Sequence, residues 1–293
     1  MNHAFSKTPA YADSPWQGTV LIDQSVEIAR HTYRVRFRAP EIARRVVPGQ
    51  FVMLRLPGML DPLLGRPLAV YDVLDEQGEP AVLDVVYVTV GHMTRQLAQL
   101  GRGSLLEIWG PLGNGFAPDA VGHLVIVAGG IGQTPFLMLS REYLGWRTYG
   151  DPPRVVPRAE QVTLCYGVKS KPELACVDDF RAAGVEIRLA TDDGSEGHHG
   201  LVTELIRPVV NESTSPCRIV SCGPEPMMAA TTRIAKELNV PCEVSLERPM
   251  ACGMGICFSC VAKIRDRQGN WDYRRTCVEG PVFDAENVEF EKA

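Results

Sequence analysis

Apolar positions change their pattern twice along the chain. Between Gly18 and about Pro118 they fall in short, partly alternating runs: TVLIDQSVEI, TYRVRFRA, QFVMLRL, PLAVYDV and LDVVYVTV. Pro-Gly, Gly-Glu-Pro and Asp-Glu-Gln-Gly separate these runs. Several short strands at that spacing predict a sandwich or a small barrel. After Pro118 the runs HLVIVA, QVTLCYG, VEIRLA, CRIVSC and CEVSLE are almost continuously apolar. The segments PFLMLSREYL, KPELACVDDFRAA and PMMAATTRIAKEL, which separate most of them, read as helices. Strands buried on both faces look like this, so a parallel sheet wrapped by helices is expected, with GWRTYGDPPRVVPR as a long internal loop. From Arg248 onward glycine and cysteine dominate, periodicity fails, and the chain ends in an acidic tail. The expected organisation is a loosely ordered extension at 1–16, a β domain at 17–118, an α/β domain at 119–246 and a small module at 247–293. About 45 residues are too few to build a self-sufficient apolar core, so something else must hold the last piece.

Composition narrows the class. With 293 residues, 45% of them apolar and 22% charged, the chain has ordinary globular usage, which excludes disordered, collagen-like and coiled-coil designs. A net charge of 30 − 35 = −5 offers no basic footprint for nucleic acid or anionic lipid. No apolar run reaches the roughly 18 to 20 residues of a membrane span. MNHAFSKTPAYADSPW lacks the basic start and apolar stretch of a secretory signal, and cytoplasmic life is the expectation.

All nine cysteines lie between Cys165 and Cys277. An odd number confined to one part of a long chain points to metal or redox duty for some of them rather than a disulfide scaffold. Cys252, Cys257 and Cys260 stand in CGMGICFSC, and Cys277 follows after sixteen residues. Glycines let one tight loop aim three thiolates at a common centre while backbone amides approach the sulfurs. The C-x4-C-x2-C…C spacing is that of a plant-type 2Fe-2S cluster. Zinc is the rival, although structural zinc sites favour two separated cysteine pairs; a disulfide fits less well still. Cys165, Cys176, Cys217 and Cys242 fall in strand or helix patterns and read as small buried hydrophobes. Cys222, which ends a strand at the ligand-binding edge, is a candidate cofactor contact.

Glycine-rich turns supply the second chemistry. In HLVIVAGGIGQTPFLMLSREYLG a strand runs into Gly129, Gly130 and Gly132, then a helix. Thr134 is placed to cap, Pro135 suits the first helical position, and Gly145 ends the helix. A helix N-terminus at that edge attracts phosphate. Because Pro135 stands where a third glycine would be, this is not the Rossmann fingerprint. A second turn, Cys222-Gly223-Pro224, precedes a helix opened by Pro226. Two such turns in one parallel sheet describe a crevice for an extended dinucleotide. Asp192 and Asp193 reach the same edge, either for ribose hydroxyls or to cap a turn. His198 and His199 read as a solvated loop. Lys169 and Lys171 are either solvated or aimed at a 2'-phosphate. In the first domain, Arg66 beside Pro67 is a candidate partner for a diphosphate. Leu68, Ala69 and Val70 offer a flat apolar surface for a ring. Thr94, with the helix start at TRQLAQL, offers further donors.

The ordered motifs RPLAV, VGHMT, GPLGNGF, AGGIGQTP, TDDGSEG, CGPEPMM and SLERPMACGMGICFSC closely resemble the electron-transfer subunit of type B dihydroorotate dehydrogenase, within the ferredoxin-reductase superfamily. The likeness runs from about Gly18 to Asn287. It implies a multi-domain β plus α/β fold: an FAD-binding β-barrel, a parallel-sheet NAD-binding domain and a small C-terminal 2Fe-2S domain. It also implies the cofactors FAD, NAD(H) and a 2Fe-2S cluster. The implied partner is an FMN-containing catalytic subunit that interconverts dihydroorotate and orotate, in a heterotetramer of two of each chain. By this resemblance Arg66, Pro67, Leu68, Ala69, Val86, Tyr87, Val88, Met93 and Thr94 serve FAD. Gly129, Gly130, Gly132, Thr134, Asp192, Cys222, Gly223 and Pro224 serve NAD. Cys252, Cys257, Cys260 and Cys277 hold the cluster, and no side chain acts as a chemical catalyst. Ala69, Val88 and Met93 depart from the family's usual Ser, often basic residue and Gly. A related flavin and iron-sulfur reductase subunit with a ferredoxin-type or sulfide-type acceptor is the alternative, followed by a zinc-bearing interaction module. Met250, Met254 and Phe258 are expected either at a partner surface or packed within the chain, whereas Met227 and Met228 are expected to pack on their helix.

Overall fold

The computed structural model describes residues 15–61, 63–266 and 268–290. Residues 1–14, which hold nearly all of the expected N-terminal extension, lie outside it; Trp16 already opens a strand. The β domain is a closed barrel. Its strands are β1 (Trp16–Ala29), β2 (Thr32–Arg38), β3 (Phe51–Arg55), β4 (Arg66–Glu76), β5 (Glu79–Val88) and β6 (Leu105–Leu112), joined in the order β1-β2-β5-β4-β3-β6. All pairings are antiparallel. Side chains of period two fill the interior, among them Val35, Phe37, Val52, Leu54, Leu83, Val85, Leu106 and Ile108. A single turn of helix, α1 (Pro40–Ala43), and a short helix, α2 (His92–Leu97), complete the domain. The closing strand β6 was not among the runs read from the sequence. Gly110 and Pro111 interrupt its pattern, yet Trp16 pairs with Gly110 and closure leaves the barrel no free edge.

The α/β domain contains β7 (His123–Gly129), α3 (Phe136–Tyr143), β8 (Gln161–Val168), α4 (Val177–Ala182), β9 (Glu186–Thr191), β10 (His198–His199), α5 (Ile206–Glu212), β11 (Cys217–Cys222), α6 (Glu225–Leu238) and β12 (Cys242–Ser245). A hairpin follows, β13 (Val261–Arg265) and β14 (Trp271–Arg275), then β15 (Val282–Asp284). The sheet order is β10-β9-β8-β7-β11-β12-β15. Its strands are parallel except β15, which adds antiparallel to β12 although sequence reading placed it in the C-terminal module. The order reverses at β7, so the carboxyl ends of β7 and β11 flank the switch point where open α/β sheets bind ligands. No helix among the described residues is long and apolar enough to cross a membrane.

Two local expectations are corrected. KPELACVDDFRAA does not form one helix: residues 171–173 make a 3-10 turn, Cys176 takes a left-handed conformation with φ of 63°, and α4 has only six residues. Cys176 and Cys217 are half-buried rather than buried, and the Cys176 sulfur accepts a hydrogen bond from the Arg34 guanidinium at 3.6 Å. Cys165 and Cys242 are buried as expected, and burial pushes the Cys165 thiol up to about 12.

The C-terminal module is held by the other two domains. The indole of Trp109 donates to the carbonyl of Cys252 at 2.9 Å. Phe51, Met53 and Leu112 of the barrel share an apolar group with Met250, Cys260 and Cys277. Asn114 works at the three-way join: its amide donates to the carbonyls of Glu279 (3.2 Å) and Val282 (2.8 Å), and its side-chain oxygen accepts from the Val282 amide at 2.9 Å. Asn114→Ala removes three bonds and leaves backbone groups unsatisfied. Denaturant titration is expected to show a loss of about 3 kcal/mol.

Candidate functional site

A cavity of about 580 Å³ opens between barrel and α/β domain. Its walls contain all nine residues assigned to FAD by resemblance: Arg66, Pro67, Leu68 and Ala69 at the start of β4, Val86, Tyr87 and Val88 at the end of β5, and Met93 and Thr94 on α2. The strand starts and ends that bring them together are neighbours in the barrel order. Among the described residues, Arg66 forms no ion pair; its guanidinium donates only to the carbonyls of Leu64 (2.9 Å) and Gly65 (3.1 Å). That leaves positive charge for a diphosphate. The Tyr87 hydroxyl is buried in the wall without a hydrogen-bond partner, and burial raises its pKa. The Thr94 hydroxyl, at the same wall, accepts from the amides of Val90 and Gly91, both at 3.1 Å, and donates to the carbonyl of Gly91, so it also caps its own helix.

A second cavity, about 320 Å³, lies beside it and is lined by Gly129, Gly130, Gly132, Gly223 and Pro224. The two turns that form it are packed backbone to backbone. A Cβ at position 132 would stand 2.3 Å from the carbonyl oxygen of Cys222, a contact only glycine avoids. Thr134 and Cys222, assigned to NAD by resemblance, line the first cavity instead, and Ile131 lines both. Thr134 follows the 3-10 turn Gly130–Gln133, and no side-chain cap bond forms there. Asp192 lines neither cavity; it is exposed on the loop after β9, at the same sheet edge. Nearby, Lys171 is paired with Glu196 at 2.8 Å and Asp193 accepts from the Ser195 hydroxyl at 2.5 Å. His198 and His199 are exposed, and His198 meets Glu204 at 2.6 Å.

Two residues not singled out from the sequence, Glu247 and Arg248, stand where the cavities touch. Both follow the carboxyl end of β12, the position at which a ligand-facing charge is expected, and that was the available signal. Arg248 makes a twofold contact with Glu225, at 2.9 and 3.3 Å. Glu247 has no hydrogen-bond or ion-pair partner among the described residues. It is open to the cavities yet ringed by protein, and desolvation raises its carboxyl. Burial first, then the charge of Glu247, pushes the thiol of Cys222 upward.

The four motif cysteines meet on the barrel's flank. Among the described residues no group of three or more His, Cys, Asp or Glu side chains is arranged around a single metal ion. The sulfurs of Cys260 and Cys277 are 3.2 Å apart, and the Cys257 sulfur is 3.2 Å from the Ser259 hydroxyl, with Cys252 acting on it electrostatically. Four thiolates are the ligand set of a 2Fe-2S cluster, in which each iron takes two. Hydrogen bonds from Ser259 and Cys252 bring the Cys257 thiol down to about 6, toward the thiolate that binds metal. Within the buried pair, the Cys277 thiol lowers Cys260 and is itself raised. The Met254 amide donates to the Cys252 sulfur at 3.4 Å. Cys257 and its neighbours Ile256 and Phe258 are exposed, and Met250 is buried. Phe51 and Met250 line the larger cavity and also belong to the apolar group that contains Cys260 and Cys277.

Barrel, switch-point sheet and cysteine loop together define a flavin- and nicotinamide-linked reductase with an iron-sulfur module. The oxidoreductase FAD-binding domain matches residues 19–116, the oxidoreductase NAD-binding domain 126–233, and the iron-sulfur cluster binding domain of dihydroorotate dehydrogenase B 247–289. The dihydroorotate dehydrogenase B (NAD(+)) electron transfer subunit of Desulforamulus reducens is 38% identical over 265 residues, 90% of this chain and 95% of that one. The corresponding subunit of Caldanaerobacter subterraneus is 33% identical, over 94% and 99% of the two chains. Among solved structures, the NADH-dependent reduced ferredoxin-NADP oxidoreductase superposes with a TM-score of 0.76 at 27% identity, over 92% of this chain and 90% of that one. The chain belongs to the family of dihydroorotate dehydrogenase B electron transfer subunits.

Removing the unpaired carboxylate gives a signed test. A carboxyl raised in the folded state contributes stability that is complete below its ordinary value of 4.5 and lost as pH rises through the folded value. Glu247→Gln is therefore expected to raise the unfolding midpoint at pH 8, with the difference from wild type shrinking as the pH is lowered. A constant difference would show that the carboxyl is not raised.

Proposed function

We propose that this chain carries electrons between NAD(H) and the FMN of a dihydroorotate dehydrogenase catalytic subunit, through its own FAD and 2Fe-2S cluster. The observation that carries this reading is a shared wall: Phe51 and Met250 line the cavity holding every assigned FAD residue and also belong to the apolar group that contains Cys260 and Cys277. When bound, the flavin exchanges hydride with nicotinamide and single electrons with the cluster, which nicotinamide alone cannot reach. The residues bind and orient. Arg66 supplies the charge for the FAD diphosphate, while Pro67, Leu68, Ala69, Val86, Tyr87 and Val88 give an apolar bed. Ala69 in place of a hydroxyl residue removes one hydrogen bond, worth on the order of 1 kcal/mol, from a site made largely of packing.

Gly129, Gly130, Gly132, Gly223 and Pro224 receive the NAD pyrophosphate, and Asp192 the adenosine ribose. Lys171, paired with Glu196, and the carboxylate of Asp193 weigh against a 2'-phosphate at that rim and favour NADH, while Lys169 is exposed and in no ion pair among the described residues. Thr134 and Cys222, in the first cavity, stand where nicotinamide and flavin meet, and Glu247 places a carboxyl at that junction. Cys252, Cys257, Cys260 and Cys277 hold the cluster. The partner docks on the side of Cys257, in a cytoplasmic heterotetramer of two of each chain.

Anaerobically purified protein is expected to show flavin and iron-sulfur absorbance with acid-labile sulfide, all bleached by NADH. Zinc without labile sulfide, or no flavin, would overturn the assignment. Cys257→Ser is expected to lose the cluster absorbance and keep the flavin band.

Docking is tested separately. Ile256, 74% exposed beside Cys257, is expected to sit under the partner. Ile256→Asp should weaken association with the FMN-containing subunit by roughly tenfold or more. NADH should still reduce the FAD of the uncomplexed variant at the wild-type rate.

A further inference from the structure

Strand β4 has two jobs along one stretch of backbone. Its first four residues line the larger cavity, and the following ones grip three parts of the α/β domain. The Tyr71 hydroxyl donates to Asp179 of α4 at 2.6 Å, where Arg34 of β2 also binds. The carbonyl of Val73 accepts from Arg147 at 2.9 Å, and Asp75 pairs with the same arginine. Between them, both carboxylate oxygens of Asp72 accept from one nitrogen of Arg141 on α3, at 2.5 and 2.6 Å. Asp72 also accepts from the Val73 amide at 2.9 Å. The Asp72 side chain is 7% exposed, whereas Asp179 and Asp75 are 32% and 48% exposed.

Arg141 sits on the helix that follows the glycine turn. Ile131, Thr134 and Pro135, which lead into that helix, line the cavity. Three residues of strand from Ala69 to Asp72 span roughly 10 Å, and six of helix from Pro135 to Arg141 roughly 9 Å. The ion pair thus closes a short rigid frame with the cavity on its opposite side. A buried ion pair adds little net stability, because desolvation offsets its attraction, but its geometry tolerates few alternatives.

We propose that Asp72 and Arg141 are positioning residues that fix the flavin-side strand against the nicotinamide-side turn, and so set the hydride-transfer geometry without touching either cofactor. This rests on the reading of the two cavities as FAD and NAD sites. An internal comparison is built in. Asp84 is the cross-strand neighbour of Asp72 and is also buried, but its partner is Arg36 of β2, at 2.7 and 2.8 Å, a pair that joins two barrel strands and does not reach the α/β domain.

The test compares Asp72→Asn, Arg141→Lys and Asp84→Asn as flavin-loaded, full-length proteins. In anaerobic stopped flow, Asp72→Asn is expected to slow flavin reduction by NADH roughly ten- to hundredfold. The NADH dissociation constant from the same titration should stay within about twofold. The long-wavelength charge-transfer absorbance should weaken, and amides of residues 129–135 should exchange hydrogen faster. Asp84→Asn should match wild type in all of these at a comparable loss of thermal stability. Equal effects of Asp72→Asn and Asp84→Asn, or a wild-type rate with wild-type exchange in Asp72→Asn, would overturn the proposal. Should Asp72→Asn fail to fold, Arg141→Lys decides: intermediate slowing supports the positioning role and a wild-type rate refutes it. Failure of the cofactor reading itself is distinguishable, since the unsubstituted protein would then bind no FAD or not respond to NADH.

Discussion

Phe51 and Met250 face two chambers at once, and that double exposure constrains everything around them. One side needs a pocket wide enough for a ring system, the other a dry bed for sulfur. Side chains much larger would fill the pocket, and smaller ones would let water through to the buried cysteine pair. The barrel supplies Phe51 from a closed sheet, and the loop after β12 supplies Met250, so the partition forms only when the C-terminal module is seated. Trp109 and Asn114 seat it, through bonds to backbone groups that any sequence in the module would present.

The same economy appears at the switch point. Gly132 and the carbonyl of Cys222 are in such close contact that the two phosphate-side turns behave as one surface. Whatever lies across the mouth of β7 and β11 is therefore registered to both strands. Glu247 and Arg248 add charge at the seam between the cavities, but of unequal kind: Arg248 is tied to Glu225, while Glu247 stands alone.

Much of this was readable in one dimension, and the limits were physical. Continuously apolar runs identified β7, β8, β11 and β12 because both faces of those strands are covered, and β9 although its first four residues are only partly covered. The barrel strands that alternate were visible, but β6 was not, since Gly110 and Pro111 break its pattern and its closing role depends on β1 and β3 far away in sequence. The hairpin β13–β14 escaped because its residues, including Trp271 and Tyr273, are largely exposed and so carry no burial period. Cysteine spacing located the metal-binding candidates, since ligand spacing is a local property. The employment of the Thr94 hydroxyl within its own helix, and the removal of Asp192 from both cavities, are matters of side-chain direction that spacing does not encode. Glu247 was overlooked although its place just beyond a buried strand was a usable signal.

The pairing of β12 with β15 has one more consequence. Ser245 lies opposite Val282, so the chain leaves the sheet and returns to it at adjacent points. All that intervenes, cysteine loop and hairpin alike, is an excursion that leaves and rejoins the sheet at one place and leans on the barrel through Trp109 and Asn114. Its two ends could be bridged by a short turn with the host sheet left whole. The cysteine module is thus attached at the edge of the sheet, where it adds its sulfur ligands without interrupting the order of the parallel strands.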